Sequence, residues 1–311
     1  PILQVSESGF AGMLCVADHS MHLYFLRQER GPAADGQAAV AATPPADGAP
    51  AAAGGRGGRG FGPRGPTQVI SVDLAKLFAD SAAGTLKAST EYEHVCGTIP
   101  VEMGAADMAL DPTEDFAYVR VGREEAAKHL AADVKPDPVF GPRGMGAGPA
   151  GLISVNLHNG DIKFIVAVPF QMGHVQTNPW VPGEIVFCWE TGGKAPQRTW
   201  TVRSDGTGLR PLYPEAPYDW ITHEAVITQD EVAIAMLYLR TPLAPARPAG
   251  AAQKAGATQK ARPPQPVDPA QAEILDQTGK DGHPTGVGIV NLRTREMRIV
   301  GQVPLGDPGR S

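Results

Sequence analysis

Two histidines, His174 and His223, each open a strand-like run, and they lie 49 residues apart with Arg198 between them. The imidazole titrates closest to neutral pH of all side chains, and in its neutral form it is a common metal ligand. The spacing is close to one repeat of a β-rich array, roughly 40–50 residues. Two histidines at equivalent points of neighbouring repeats would face the same central channel. Taken singly, each reads more readily as a structural histidine bonded between adjacent strand sets. Arg198, in QRTW, is a candidate clamp for an anion or a plain cation on a strand edge. Gln176 and Glu190 lie near His174 and read as turn or rim residues. Thr222 and Glu224 flank His223, and a carboxylate in that place can orient an imidazole. His19, His22, His94, His129 and His158 read as surface or loop histidines, and His283, in DGHPTG, as structural.

These side chains need strands to hold them, and the chain supplies strand signals almost everywhere. Short β-branched and aromatic runs alternate with Gly, Pro, Asp and Asn. Residues 13–27 read as two strands around a turn at Asp18 to Ser20. Residues 108–121 read as a hairpin turning at Asp111 to Asp115. Residues 151–168 turn at Asn159-Gly160, a strong short-range hairpin signal. Only residues 123–132 (REEAAKHLAA) look helical. One motif recurs: VISVDL, LISVNL, TWTVRS and GIVNLR occupy the same slot near residues 70, 153, 200 and 289. Four antiparallel strands per unit, repeated, imply an all-β β-propeller. About four units are countable, the first and last read as incomplete, and the expected domain is one partial propeller over residues 1–311, a central piece of a longer ring.

Composition limits the rest. Residues 31–66 and 241–268 are rich in Ala, Gly and Pro, and neither buries enough apolar surface to offset its ordering entropy, so both read as disordered insertions. The net charge of −6 argues against a general nucleic-acid binder. The Gly54 to Gly65 run resembles an RNA-binding RGG segment, but a solvated insertion is the simpler reading. No run of 18 apolar residues suggests a membrane span. Cys15, Cys96 and Cys188 sit far apart in apolar strand patterns and read as buried free thiols. The compartment and the oligomeric state are not legible.

Residues 151–226 resemble oligogalacturonate lyases, a polysaccharide lyase family with a seven-bladed propeller. The matching pieces are GLISVNLHNGDIKFIV, the Gly-His of MGHVQTNPWVPGEIVFCWE, RTW followed by Asp205-Gly206, and Thr222-His223-Glu224. The resemblance implies a pectin-degrading lyase that cleaves short oligogalacturonates by β-elimination. It implies His174 as the general base and His223 as a ligand for Mn²⁺ or another divalent cation; Arg198 stays the candidate substrate-binding clamp on its own sequence context. It also implies a cytoplasmic or periplasmic bacterial protein with an acidic oligosaccharide as partner. Two features depart from the family. A Gln-x-x-His-x-His cluster that completes its metal site has no counterpart here, and its ligands are expected beyond residue 311. Gly151 stands where the family places an arginine, with Arg143 and Arg198 near in sequence. The fragment alone is therefore expected to be inactive, since one ligand does not hold the ion. Two other readings remain: a non-catalytic propeller that binds a ligand or partner, and a lyase or hydrolase for another acidic glycan on the same scaffold.

Overall fold

The computed structural model describes residues 11–30, 64–139, 145–191, 195–215, 220–237 and 286–302. Its strands form four antiparallel four-stranded sheets, each following chain order, and the fold class is the all-β, propeller type expected from the repeat. The first sheet holds β1 (Ala11–Ala17), β2 (His22–Arg30), β3 (Arg64–Asp73) and β4 (Glu93–Ile99), with helix α1 (Leu74–Ala82) leading out of β3. The second holds β5 (Ala106–Leu110), β6 (Phe116–Val121), β7 (Ala147–Asn156) and β8 (Ile162–Phe170), with the short α2 (Arg123–Ala127) after β6. The third holds β9 (Met172–Thr177), β10 (Glu184–Trp189), β11 (Thr199–Arg203) and β12 (Arg210–Pro211). The fourth holds β13 (Trp220–Thr228), β14 (Glu231–Leu237), β15 (Gly286–Asn291) and β16 (Met297–Gln302).

The recurring slot falls on β3, β7, β11 and β15, the third strand of every sheet. This strand is flanked by neighbours on both sides, which explains its denser run of β-branched residues. Four expectations are corrected. The first and last units are not short, since each sheet has four strands. The helix expected over 123–132 stops at Ala127. Leu74 does not end a strand: Asp73 accepts a hydrogen bond from the Lys76 amide at 2.8 Å, caps the chain and starts α1. The insertion at 31–66 ends earlier than expected, because β3 begins at Arg64; the rest of it, and all of 241–268, lie outside the described residues. His283 and Arg143 lie outside them too.

The chain divides into two compact units, Pro1–Lys128 with Leu152–Phe164, and His129–Gly151 with Ile165–Ser311. In the first unit Leu26, Val69, Ile99, Met108, Val119 and Val155 share one core, and Phe25, Ile70, Val72 and Tyr92 a second. In the second unit Val186, Leu212, Ile221, Val232, Ile234 and Leu292 pack together. Along β14 every second residue is buried, namely Val232, Ile234 and Met236, the period of a strand with one face in a core. Each such side chain contributes about 1.5–3 kcal/mol on burial. No helix among the described residues is long and apolar enough to cross a membrane.

Candidate functional site

The first strands of the third and fourth sheets are irregular at the same point. In β9, Gly173 pairs with Cys188 and Gln176 with Val186, so one extra residue is inserted around His174. In β13, Thr222 pairs with Ala235 and Ala225 with Ala233, so the same insertion occurs around His223. Both histidines take φ of +51°. A bulge redirects the side chain it carries, and a non-glycine residue in the left-handed region costs about 1–3 kcal/mol. The second sheet repeats the device at Asp107, with φ of +58° between Ala106 and Met108.

The bulge in β9 turns His174 into a cluster of charges. Its Nε2 lies 3.0 Å from Glu190 Oε2 and its Nδ1 lies 3.3 Å from Glu224 Oε1. Arg198 backs both carboxylates, with Nη2 at 3.5 Å from Glu190 and Nε at 4.0 Å from Glu224. The Cys188 thiol donates to Glu190 Oε2 at 3.8 Å. The side chains of His174, Glu190, Arg198 and Glu224 are 38%, 17%, 4% and 0% exposed, so solvent reaches the cluster mainly past the imidazole. Neither Glu224 oxygen accepts a hydrogen bond of good geometry, although both are buried.

Local structure fixes each member. Glu190 follows β10, its amide donating to Gln171 O at 2.9 Å. Gly173 lets it fold back, since a Cβ there would sit 3.2 Å from Glu190 Cβ. Arg198 precedes β11; its amide and that of Thr199 donate to Glu215 Oε1 at 2.9 and 2.8 Å. Gln176 Nε2 donates to the Glu224 carbonyl at 2.5 Å, tying β9 to β13. Behind the cluster, Phe170 stacks on Trp189 at 4.8 Å and leans on Trp200 at 5.2 Å.

Two carboxylates face one imidazole and one guanidinium, so the charges balance. Glu190 and then Glu224 push the His174 pKa up to about 9, against the opposing effect of burial. Burial works against the charge of Glu224, yet His174 and Arg198 outweigh it and hold that carboxyl below its ordinary value. The imidazole is thus a cation at neutral pH whose conjugate base is stronger than a free histidine.

Of the expected site residues, the structure brings His174 and Arg198 together. Arg198 is buried against carboxylates of its own chain, which differs from an open anion clamp. His223 is exposed on its bulge, while Glu224 beside it points inward. Glu190, read as a rim residue, and Glu224 are the groups the sequence reading undervalued. Their signal was the acidic residue closing the Phe-Cys-x-Glu strand and the inward phase of Thr222 and Glu224 around an outward His223. Gly151 lies buried in β7. His158 and His19 do have partners, Asp115 at 2.7 Å and Glu114 at 3.6 Å, while remaining exposed as expected.

Among the described residues, one group of three possible metal donors occurs: His174, Cys188 and Glu190, their ligand atoms within 4.8 Å of one another. His223 is not in it. A lone exposed imidazole does not hold a divalent ion, so the described residues do not fit a manganese site at His223.

No family model and no curated protein matches the chain. Solved structures similar to it include an oligogalacturonate lyase in complex with manganese, at 17% identity and a TM-score of 0.48, covering 76% of this chain and 48% of that one. A second, oligogalacturonate lyase from Vibrio parahaemolyticus, is 15% identical with a TM-score of 0.42, covering 76% of this chain and 60% of that one. A puromycin hydrolase is 10% identical with a TM-score of 0.46, covering 97% of this chain and 32% of that one. The chain thus spans less than two thirds of either lyase.

Proposed function

We propose that this chain carries the proton-abstracting part of a lyase that cleaves short oligogalacturonates, or closely related uronate oligomers, by β-elimination. The observation that supports it is His174, partly open to solvent and gripped on both ring nitrogens by carboxylates. The C5 proton of a uronate is α to a carboxylate and very weakly acidic. Its removal needs a base stronger than a free imidazole, and Glu224, which remains against Nδ1, still raises the basicity of His174 once substrate has taken the place of Glu190. Glu190 is the more exposed of the two, so substrate displaces it and meets Nε2. Glu224 stays on Nδ1, fixes the ring and stabilises the imidazolium that forms. The C5–H pair becomes the C4–C5 double bond, the C4–O bond breaks, and the leaving oxygen takes a proton.

The test is product analysis of the full-length protein in heavy-oxygen water with digalacturonate and trigalacturonate. Elimination gives an unsaturated product and incorporates no solvent oxygen; incorporation would favour a hydrolase, and no product from any uronate oligomer would remove the proposal. His174→Ala lowers the rate by about 10²–10⁴-fold, the usual contribution of a general base. A second reading, a non-catalytic propeller that binds a ligand, draws on one observation. Arg198 is committed to internal carboxylates, and Gly151 occupies the place where the resemblance expects an arginine.

A further inference from the structure

We infer that His174, Cys188 and Glu190 form a binding site for a borderline transition ion of the zinc class, distinct from the manganese site that the resemblance implies at His223. The donors are already spaced for it. His174 Nε2 and Glu190 Oε2 are 3.0 Å apart, and Cys188 Sγ and the same oxygen are 3.8 Å apart. Tetrahedral zinc, with bonds of about 2.0–2.3 Å, holds its donors about 3.3–3.6 Å from one another. One nitrogen, one sulfur and one oxygen would supply three donors to such an ion, with the imidazole partly open to solvent.

A second observation points the same way. The Glu224 carboxylate is wholly buried, accepts no well-formed hydrogen bond, and faces Nδ1 of the same ring at 3.3 Å. A carboxylate on one imidazole nitrogen with the other turned to the metal is the usual support of a metal-binding histidine. Charge also closes. Binding releases one proton from the His174 imidazolium and one from the Cys188 thiol; the thiolate, Glu190 and Glu224 then carry three negative charges, against two on the ion and one on Arg198. The thiolate sets the class of ion, because sulfur ligands select zinc over manganese. Cys188 lies in β10, inside the core and in register with Gly173, so the sulfur is held by the sheet and not by a loop. Occupation takes the Nε2 that the proposed elimination uses, so zinc inhibits that reaction.

Cobalt(II) titrated into the chelator-stripped chain tests the site without any substrate. The expected result is a thiolate-to-cobalt absorption in the near ultraviolet that saturates at one equivalent and is displaced by zinc but not by equimolar manganese. Cys188→Ser removes it, Glu190→Gln weakens cobalt binding by more than about tenfold, and Cys15→Ser and Cys96→Ser leave it in place. No absorption in the parent chain, an absorption that survives Cys188→Ser, or unaltered affinity in Glu190→Gln overturns the site. A failed titration removes the metal site and leaves the lyase proposal standing; an inactive chain that binds cobalt does the reverse.

Discussion

His174 keeps its proton further up the pH scale than a free imidazole, because Glu190 and Glu224 stabilise the charged ring. The folded pKa of about 9 stands above the unfolded 6.5. The ring therefore contributes stability that is whole below the unfolded value and lost as pH rises through the folded one. In metal-free protein, NMR titration of the His174 ring should give a midpoint near that folded value, falling toward the free value in Glu190→Gln. The urea midpoint should decline over the same window in the parent chain and stay flat in His174→Gln. Arg198 gives a sharper stability test, since its side chain is 4% exposed between two carboxylates. Arg198→Met leaves the Glu190 and Glu224 carboxylates with the His174 imidazolium as their one cation in the cluster, and chemical denaturation should show a loss of about 3–5 kcal/mol. A loss under about 1 kcal/mol would mean that the guanidinium does not compensate Glu224.

At the level of the strand, the bulge separates what the sequence revealed from what it concealed. The third-strand runs were legible because β3, β7, β11 and β15 alternate regularly or stay buried on both faces. The hairpin at Asn159-Gly160 was legible because Gly160 takes φ of +78°. Glu190 and Glu224 were not legible as partners of His174. They come from strands of different sheets, and the inserted residue in β9 changes the phase on which any alternation argument depends. Helix α1 was missed for a smaller reason: its cap, Asp73, also terminates a strand pattern. His223 shares the bulge and the φ of His174 but makes no comparable contact in the cluster. His223→Gly should therefore relieve left-handed strain and raise stability by about 1 kcal/mol by denaturant titration. A destabilisation of similar size would show that the imidazole has structural work in the bulge.

Across the whole molecule, the second unit depends on polar links between its sheets as well as on its core. Arg293, in the turn between β15 and β16, bonds both oxygens of Glu184 at 2.5 and 2.9 Å and Asp230 at 2.9 Å. Asn178 adds a bond to Glu184 at 2.6 Å and one to Gln229 O at 2.8 Å. Glu184 opens β10, the strand that carries Cys188 and leads to Glu190, so this link anchors the site from its far end. Arg293→Ala should lower the thermal midpoint, leaving the buried Glu184 with Asn178 alone, at a cost of about 1–3 kcal/mol. Uronate cleavage in Arg293→Ala should fall only as far as folding does.

The central claim is that His174 is the base of a β-elimination. The direct measurement is kcat/KM from the ultraviolet absorbance of the unsaturated uronate product against pH, for the full-length protein and its His174→Ala variant, with digalacturonate as substrate. A rate that climbs with pH to a plateau near the His174 pKa of about 9, and that is absent in His174→Ala, is the predicted result. A parent chain that never exceeds His174→Ala at any pH, or two profiles that coincide, would contradict it.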